Sequence, residues 1–209
     1  RISKIYVGLV EPSLRILWPK ESLMKPILIK NLLTSKEVFW IYKYLTSLPV
    51  WKLNALSSRE EGNLERQFGT LANTTITEDY KPTPTSAGLS MYGQSLVYRI
   101  NERLKEHKIE IPTAIERFWI NATFKDSSSH WPHIDSEQPK AFSILLFLAP
   151  VWSDQWLGSF FCDGEEFKFT PGAAVVFQST EMHTGDNPSL HCPYVRLTGN
   201  IMTTPTADA

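Results

Sequence analysis

The pattern of the sequence changes at Pro112. After this residue, short segments rich in β-branched and aromatic residues alternate with turn signals, among them Gly164 and Pro171-Gly172. Segments of this kind indicate short strands separated by turns. The expected strands span residues 117–124, 130–135, 141–149, 157–162, 165–169, 173–178, 182–185 and 193–202. Such a succession of short strands predicts a double-stranded β-helix, or jelly roll.

Two amphipathic helices are predicted before Pro112. Thr34 and Glu37 form a capping-box signature, which indicates a helix over residues 35–48. A second helix is predicted over residues 86–105, because apolar residues recur there at helical spacing. The fold class is therefore mostly β with flanking α-helices, and we expect the N-terminal helices to pack on one sheet of the jelly roll.

The rest of the N-terminal half is less regular. Residues 26–30 are predicted to form an edge strand, and the polar segment 52–84 is predicted to be a long loop or short strands. We expect a single domain over residues 1–209, with the N-terminal strands, helices and loop in 1–112 and the jelly-roll core in 113–202.

Composition limits the classes of partner. The 209 residues carry a net charge of −1, so no basic excess favours nucleic acid or an anionic membrane. No apolar stretch approaches the roughly 20 residues of a membrane span. Cys162 and Cys192 are too few for a disulfide framework and are expected to be inert. We expect a cytoplasmic protein; a leader removed before Arg1 would leave no trace here, and the sequence does not fix the oligomeric state.

Three potential metal ligands lie in the strand-rich half. His133 and Asp135 are two residues apart, so on a strand their side chains face the same side and can converge on one ion. His183 would have to arrive from a distant strand. Two imidazoles and one carboxylate suit Fe(II) and leave coordination positions open.

Other interpretations of these residues remain open. A His-x-Asp pair often arises by chance, and a lone histidine such as His183 is more often a surface or core residue. His130 and His133 could form a zinc pair, or could join His183 in a three-nitrogen site of a cupin-like metal- or ligand-binding module without oxygenase activity. Arg196 could belong to a surface ion pair. If it points inward from its apolar strand, it needs an anionic partner.

The order of these motifs resembles that of the Fe(II)/2-oxoglutarate-dependent oxygenases, and most closely their prolyl-4-hydroxylase-like branch. The motifs are His133-Ile134-Asp135, Trp156-Leu157-Gly158, Pro171-Gly172 with a β-run ending in Phe177, then His183, and finally Arg196-Leu197-Thr198. Trp156-Leu157-Gly158 departs from the branch's Trp-Gly-Gly at Leu157, and the interval from His183 to Arg196 is slightly long. These departures concern the substrate and subfamily more than the metal chemistry.

The resemblance implies a role for each matching residue. His133, Asp135 and His183 match the catalytic iron ligands. Arg196 and Thr198 match the residues that bind the distal carboxylate of 2-oxoglutarate, and Asn121 and Ser143 are weaker matches to further contacts with it. The candidates on the substrate side are His130, Trp131, Trp152 and Trp156.

The resemblance also implies the reaction. Fe(II), with 2-oxoglutarate and O2 as co-substrates and ascorbate as a further candidate, would support hydroxylation of an unactivated C–H bond. Related halogenases carry a small residue in place of Asp135, so its presence favours hydroxylation. The expected substrate is a prolyl or other residue in a protein or peptide; the alternative is a free amino acid or small metabolite.

Overall fold

The computed structural model describes residues 24–47, 52–53, 71–82, 87–125 and 132–205. Within them the backbone forms a large and a small antiparallel sheet and two α-helices. The helices are α1 (Ser35–Ser47) and α2 (Ala87–Leu104). The strands are β1 (Ile27–Ile29), β2 (Lys52–Leu53), β3 (Leu71–Glu78), β4 (Lys81–Pro82), β5 (Ala114–Thr123), β6 (Phe142–Phe147), β7 (Phe160–Cys162), β8 (Glu165–Phe167), β9 (Ala174–Gln178), β10 (His183–Gly185) and β11 (Arg196–Thr204).

The strands are arranged as a double-stranded β-helix, as the sequence predicts. The large sheet has the order β1-β9-β6-β11-β5-β3-β2, with β4 paired to β3, and the small sheet has the order β10-β7-β8. A backbone bridge between His133 and His183 extends the small sheet beyond β10. Strands from both sides of Pro112 hydrogen-bond within the large sheet, and the predicted edge strand is β1 at one end of it.

Each face of the large sheet has its own apolar core. On β6, Ile144 and Leu146 pack in the cluster that contains the helix residue Leu96. Leu145 and Phe147 alternate with them and pack against residues of the small sheet. This period of two means that both sheet faces are buried. The prediction that the helices pack on one sheet is confirmed, and the site-bearing face is the other one, called here the inner face.

The predicted capping box forms at the start of α1. The Thr34 N–H donates to Glu37 Oε2 (2.7 Å), and the Glu37 N–H donates to Thr34 Oγ1 (3.2 Å). Arg99 on α2 donates to Glu37 Oε1 at 2.8 Å and so joins the two helices. Both helices end within one residue of their predicted bounds.

Of the two alternatives predicted for residues 52–84, a long loop or short strands, the described part contains strands, and the longest of them, Leu71–Glu78, pairs with β5. The predicted strand 130–135 is wrong in its described part, where His133 makes only an isolated bridge. Pro132 lacks an N–H, and the N–H groups of Asp135 and Ser136 both donate to the Ser179 carbonyl, which bends the chain.

Among the residues that the structure describes, no helix combines the length and apolar character that crossing a membrane would require.

Candidate metal centre

His133, Asp135 and His183 converge between the two sheets. One ligand atom from each lies within 4.8 Å of the others. Asp135 Oδ1 is 3.9 Å from His133 Nε2, and Asp135 Oδ2 is 3.7 Å from His183 Nε2. Two nitrogens and a carboxylate at this spacing are a donor set that suits a single Fe(II) ion.

The backbone fixes the two histidines to each other. The His133 N–H donates to the His183 carbonyl at 3.0 Å, and the His183 N–H donates to the His133 carbonyl at 2.9 Å. Opposed residues of an antiparallel pair carry their side chains on the same face. The bridge therefore brings the two rings to a centroid distance of 4.4 Å, although His133 does not lie on a strand.

The tautomer of His183 suits metal binding. Its Nδ1 lies 2.9 Å from the carbonyl oxygen of Glu181, so an Nδ1–H donor leaves Nε2 as the ligand atom. Burial lowers the pKa of His183, against the attraction of the Asp135 carboxylate, which raises it. The ring packs 4.8 Å from Phe177 and 5.6 Å from Phe160. A neutral, oriented imidazole is the form that ligates a metal.

Ser143 lies on the inner face and contacts Asp135, one of the three candidate metal ligands. Its Oγ donates to Asp135 Oδ2 at 2.6 Å and lies 2.8 Å from Ser179 Oγ. Ser179 also accepts the backbone N–H of Asp135. The predicted contact of Ser143 with 2-oxoglutarate stays a prediction, but the geometry gives its hydroxyl a role in orienting Asp135.

Arg196 is a buried cation on the inner face. It is 3% exposed, and its Nε donates to the Gly158 carbonyl at 2.9 Å. Within the described part of the chain, no Asp or Glu forms an ion pair with it. Burial lowers its pKa to about 10, against the attraction of Asp186. The side chain is therefore still charged at neutral pH, and a buried charge needs an anion.

Polar groups surround this cation. Thr198, two residues along β11, is 2% exposed and opposes Asn121 of β5. Thr123 opposes Arg196 itself, and its buried Oγ1 has no hydrogen-bond partner among the described residues. Thr123 was not among the predicted contacts, although it lies two residues from Asn121 and therefore on the same strand face. An unpaired cation beside an unsatisfied hydroxyl fits a dicarboxylate such as 2-oxoglutarate.

Two glycines leave room around the guanidinium. A Cβ on Gly185, two residues after His183 on β10, would lie 3.3 Å from Arg196 Nη2. A Cβ on Gly158 (φ +82°) would lie 2.9 Å from Trp152 Cζ2 and 3.2 Å from Arg196 Cδ. The Gly158 position of the Trp-Leu-Gly motif thus allows the Arg196 stem and the Trp152 ring to pack closely.

The remaining predicted residues lie around this centre or outside it. Trp152 stacks at 4.1 Å on Phe169, whose ring centre lies 5.7 Å from the Arg196 guanidinium carbon, and Trp156 lies 5.9 Å from Trp152. His130 and Trp131 lie outside the described residues, and so does the three-nitrogen alternative that needs His130. Burial raises the pKa of the Cys162 thiol, as expected for an inert cysteine.

Solved structures share this fold. A prolyl hydroxylase from Trichoplax adhaerens, in complex with a hypoxia inducible factor oxygen degradation domain peptide fragment, is 19% identical, with a TM-score of 0.57 over 85% of this chain and 82% of that chain. An oxidoreductase of the 2OG-Fe(II) oxygenase family from Burkholderia pseudomallei is 16% identical, with a TM-score of 0.59 over 85% of each chain.

A non-heme alpha-ketoglutarate-dependent carbocyclase from nogalamycin biosynthesis is 10% identical, with a TM-score of 0.56 over 85% of this chain and 78% of that chain. No family model and no curated protein matches the sequence. At these identities the likeness establishes the fold, which is the jelly roll of the 2OG-Fe(II) oxygenases.

Proposed function

We propose that this chain is a non-haem Fe(II)/2-oxoglutarate-dependent dioxygenase that hydroxylates an unactivated C–H bond. The observation that carries the proposal is the buried Arg196, which forms no ion pair with any described carboxylate. It lies on the inner face of the large sheet, which faces the convergent His133, Asp135 and His183. Fe(II) with 2-oxoglutarate and O2 would supply the oxidising power for C–H hydroxylation.

The protein's contribution is to hold the iron and to orient its ligands. His133, Asp135 and His183 would ligate the iron, with the Glu181 carbonyl fixing the tautomer of His183. Ser143 would hold the Asp135 carboxylate in one orientation. Three protein ligands leave positions open for the co-substrate.

Arg196 would receive the distal carboxylate of 2-oxoglutarate. Its guanidinium is fixed by the Gly158 carbonyl, and Thr198, Thr123 and Asn121 would add polar contacts on the same face. Holding one end of the co-substrate sets the pose of its keto-acid end at the metal. The aromatic residues packed beside Arg196 and His183 would exclude water from this space.

The proposed substrate is a prolyl or other residue in a protein or peptide. The supporting observation is the likeness to the prolyl hydroxylase solved with a peptide fragment. The likeness to the nogalamycin carbocyclase supports the alternative, a free amino acid or small metabolite. A cytoplasmic location, and the absence of a nucleic-acid or membrane partner, are part of the same proposal.

Spectroscopy of the assembled site tests the metal chemistry. Under anaerobic conditions, Fe(II) and 2-oxoglutarate should give the weak visible charge-transfer band of a chelated keto acid, and Asp135→Ala should abolish it. His130→Ala serves as the comparison, because it should retain the band. If His130→Ala loses metal while Asp135→Ala keeps it, the three-nitrogen module replaces the oxygenase.

Product analysis tests the reaction and substrate class. The enzyme, assayed in air with ascorbate, should convert 2-oxoglutarate to succinate when a substrate is present. Mass spectrometry of lysate proteins should show a gain of one oxygen on a peptide, absent with Asp135→Ala. Succinate formation with small metabolites but with no lysate protein would favour the alternative substrate. No charge-transfer band and no succinate would refute the function.

A further inference from the structure

We propose that Arg117 binds a carboxylate group of the substrate on the side of the metal centre opposite the 2-oxoglutarate pocket. The inference rests on the proposed function and names a chemical feature of its substrate. Nothing in the motif resemblance assigns a role to Arg117.

A β-bulge directs Arg117 to the inner face. In the pairing of β5 with β11, Met202 opposes Arg117 and Thr203 opposes Ile115, so Glu116 is the extra residue. Ile115 and Phe118 both pack against the helices although they are three residues apart, which regular alternation forbids. The bulge restores the register and leaves Arg117 on the same face as Met202.

The contacts of Arg117 place its guanidinium beside the metal ligands. Nη2 donates to the backbone carbonyl of Asp135 at 3.2 Å and lies 3.6 Å from Met202 Sδ. Met202 of β11 also opposes Ser143 of β6, and Ser143 donates to the Asp135 carboxylate. The guanidinium carbon lies 5.5 Å from the centre of the Trp119 ring. A group bound here would be next to the metal and against an apolar surface.

The charge of Arg117 has no counter-ion in the part of the chain that the structure describes. Neither Glu116 nor any other described acidic residue forms an ion pair with it. Its buried Nε has no hydrogen-bond partner. Arg99, by contrast, pairs with Glu37 at 2.8 Å. A cation with an unsatisfied donor beside a reaction centre is suited to an anionic ligand.

2-Oxoglutarate cannot be that ligand if Arg196 holds it. Arg117 lies opposite Met202, which is six positions along β11 from Arg196. At the rise of a strand this is about 20 Å of backbone, far more than a five-carbon dicarboxylate spans. The anion at Arg117 therefore belongs to another molecule, which is the substrate. One guanidinium matches the single charge and planar fork of a carboxylate.

The carboxylate has two possible sources, a free acid or an acidic residue of a peptide. The test uses matched pairs of probes: amino acids and hydroxy acids with their primary amides, and proline-containing peptides with Asp or Glu replaced by Asn or Gln. Binding to the Co(II)-loaded protein with N-oxalylglycine, an unreactive analogue of 2-oxoglutarate, is measured by calorimetry. Stimulated 2-oxoglutarate consumption is measured with Fe(II).

The variants are Arg117→Gln and Arg117→Lys, with Arg103→Gln at an exposed position of α2 as the matched control. The wild type should bind at least one carboxylate probe about tenfold more tightly than its amide partner. Arg117→Gln should remove this preference, Arg117→Lys should retain part of it, and Arg103→Gln should leave it unchanged. The source of the carboxylate follows from whether the small acids or the acidic peptides show the preference.

Three outcomes overturn the inference and leave the proposed function standing. No carboxylate probe binds more tightly than its amide partner, or the preference for the carboxylate survives in Arg117→Gln. In the third outcome, Arg117→Gln weakens Co(II) binding as much as it weakens probe binding. The last would make Arg117 a support for the Asp135 backbone. Failure of the wild type to bind Co(II) and N-oxalylglycine would instead remove the proposed function itself, and the inference with it.

Discussion

The carboxylate of Asp135 is oriented by the hydroxyl of a serine on the neighbouring sheet. Ser143 Oγ donates to Asp135 Oδ2 at 2.6 Å, and the Ser179 hydroxyl lies next to it. Such outer contacts restrict a ligand to one pose and typically change metal affinity by about 10–100-fold.

Ser143→Ala should therefore weaken Co(II) binding by about tenfold, because the carboxylate loses its hydrogen-bond donor. Calorimetric titration measures the affinity, and thermal unfolding of the metal-free protein shows whether the fold is retained. Ser143→Thr keeps the hydroxyl and should bind Co(II) within a few-fold of the wild type. Equal affinities for all three proteins would show that Ser143 does not orient Asp135.

Arg196→Met should abolish the stabilisation that 2-oxoglutarate gives to the metal-loaded protein. A ligand present at 100 times its dissociation constant stabilises by about 2.7 kcal/mol, and this variant lacks the cation that holds the distal carboxylate. Differential scanning fluorimetry with and without 2-oxoglutarate measures the shift in Tm. Arg103→Gln is the control and should keep the shift; an undiminished shift in Arg196→Met would place the co-substrate elsewhere.

Leu157 adopts a backbone conformation that suits glycine. Its φ is 56° and its ψ is −143°, at the position where it departs from the Trp-Gly-Gly pattern, and its side chain is 54% exposed. Leu157→Gly should raise the free energy of unfolding by about 1 kcal/mol, because the relief of strain exceeds the entropic cost of glycine. Gly158→Ala (φ +82°) should lower it. Urea denaturation measures both, and destabilisation by Leu157→Gly would contradict the prediction.

At the scale of elements, the contact between α1 and α2 depends on an ionised Glu37. Burial would raise the pKa of this carboxyl, but hydrogen bonds from Arg99 and from the backbone and hydroxyl of Thr34 bring it down to about 2. A carboxyl whose pKa is lower in the folded state stabilises the protein above its unfolded pKa, and the contribution is lost as the pH falls toward the folded value.

Glu37→Gln should consequently cost about 1 kcal/mol of stability at pH 7. The difference in the free energy of unfolding between Glu37→Gln and the wild type should decrease as the pH falls from about 5 toward 2. Urea denaturation at a series of pH values measures it. Glu102→Gln removes an exposed partner of Lys105 and should have little effect at any pH. A Glu37→Gln difference that stays constant down to pH 3 would contradict the assignment.

The elements that the sequence predicts well are those with strong local signals. The Thr34–Glu37 capping box places the start of α1, and the apolar run 174–178 makes β9 recognisable. The polar residues of 71–78 hide β3, because its strand character depends on pairing with β5. The bulge at Glu116, which directs Arg117 inward, becomes visible only in the pairing of β5 with β11, a strand about 80 residues further along the chain.

At the scale of the whole molecule, the centre draws its parts from both sheets. His183 and its bridge partner His133 belong to the small sheet, whereas Ser143, Thr198 and Arg196 lie on the large one. The convergence of His133, Asp135 and His183 was predictable because these residues occur in the order of a known motif. The place of Thr123 in the site was not predictable, because it depends on the pairing of β5 with β11, which puts the unsatisfied Thr123 hydroxyl opposite Arg196.

Metal binding should therefore protect the small sheet as a unit. A bound ion joins both histidines to Asp135, which Ser143 ties to the large sheet. Hydrogen exchange with Co(II) should slow in β7 and β10 and change little in the exposed turns of α2. Asp135→Ala should show no such slowing. Uniform protection across α2 and the small sheet would mean that the metal acts on global stability alone.

The reciprocal hydrogen bonds between His133 and His183 also set a kinetic condition on metal exchange. The ion can leave by rotation of the side chains while the bridge stays closed, or by separation of the two backbones. Only the second route exposes the two amide protons to solvent. If the ion dissociates more slowly than these amides exchange, backbone opening can gate its release. If it dissociates faster, rotation of the side chains is sufficient for release.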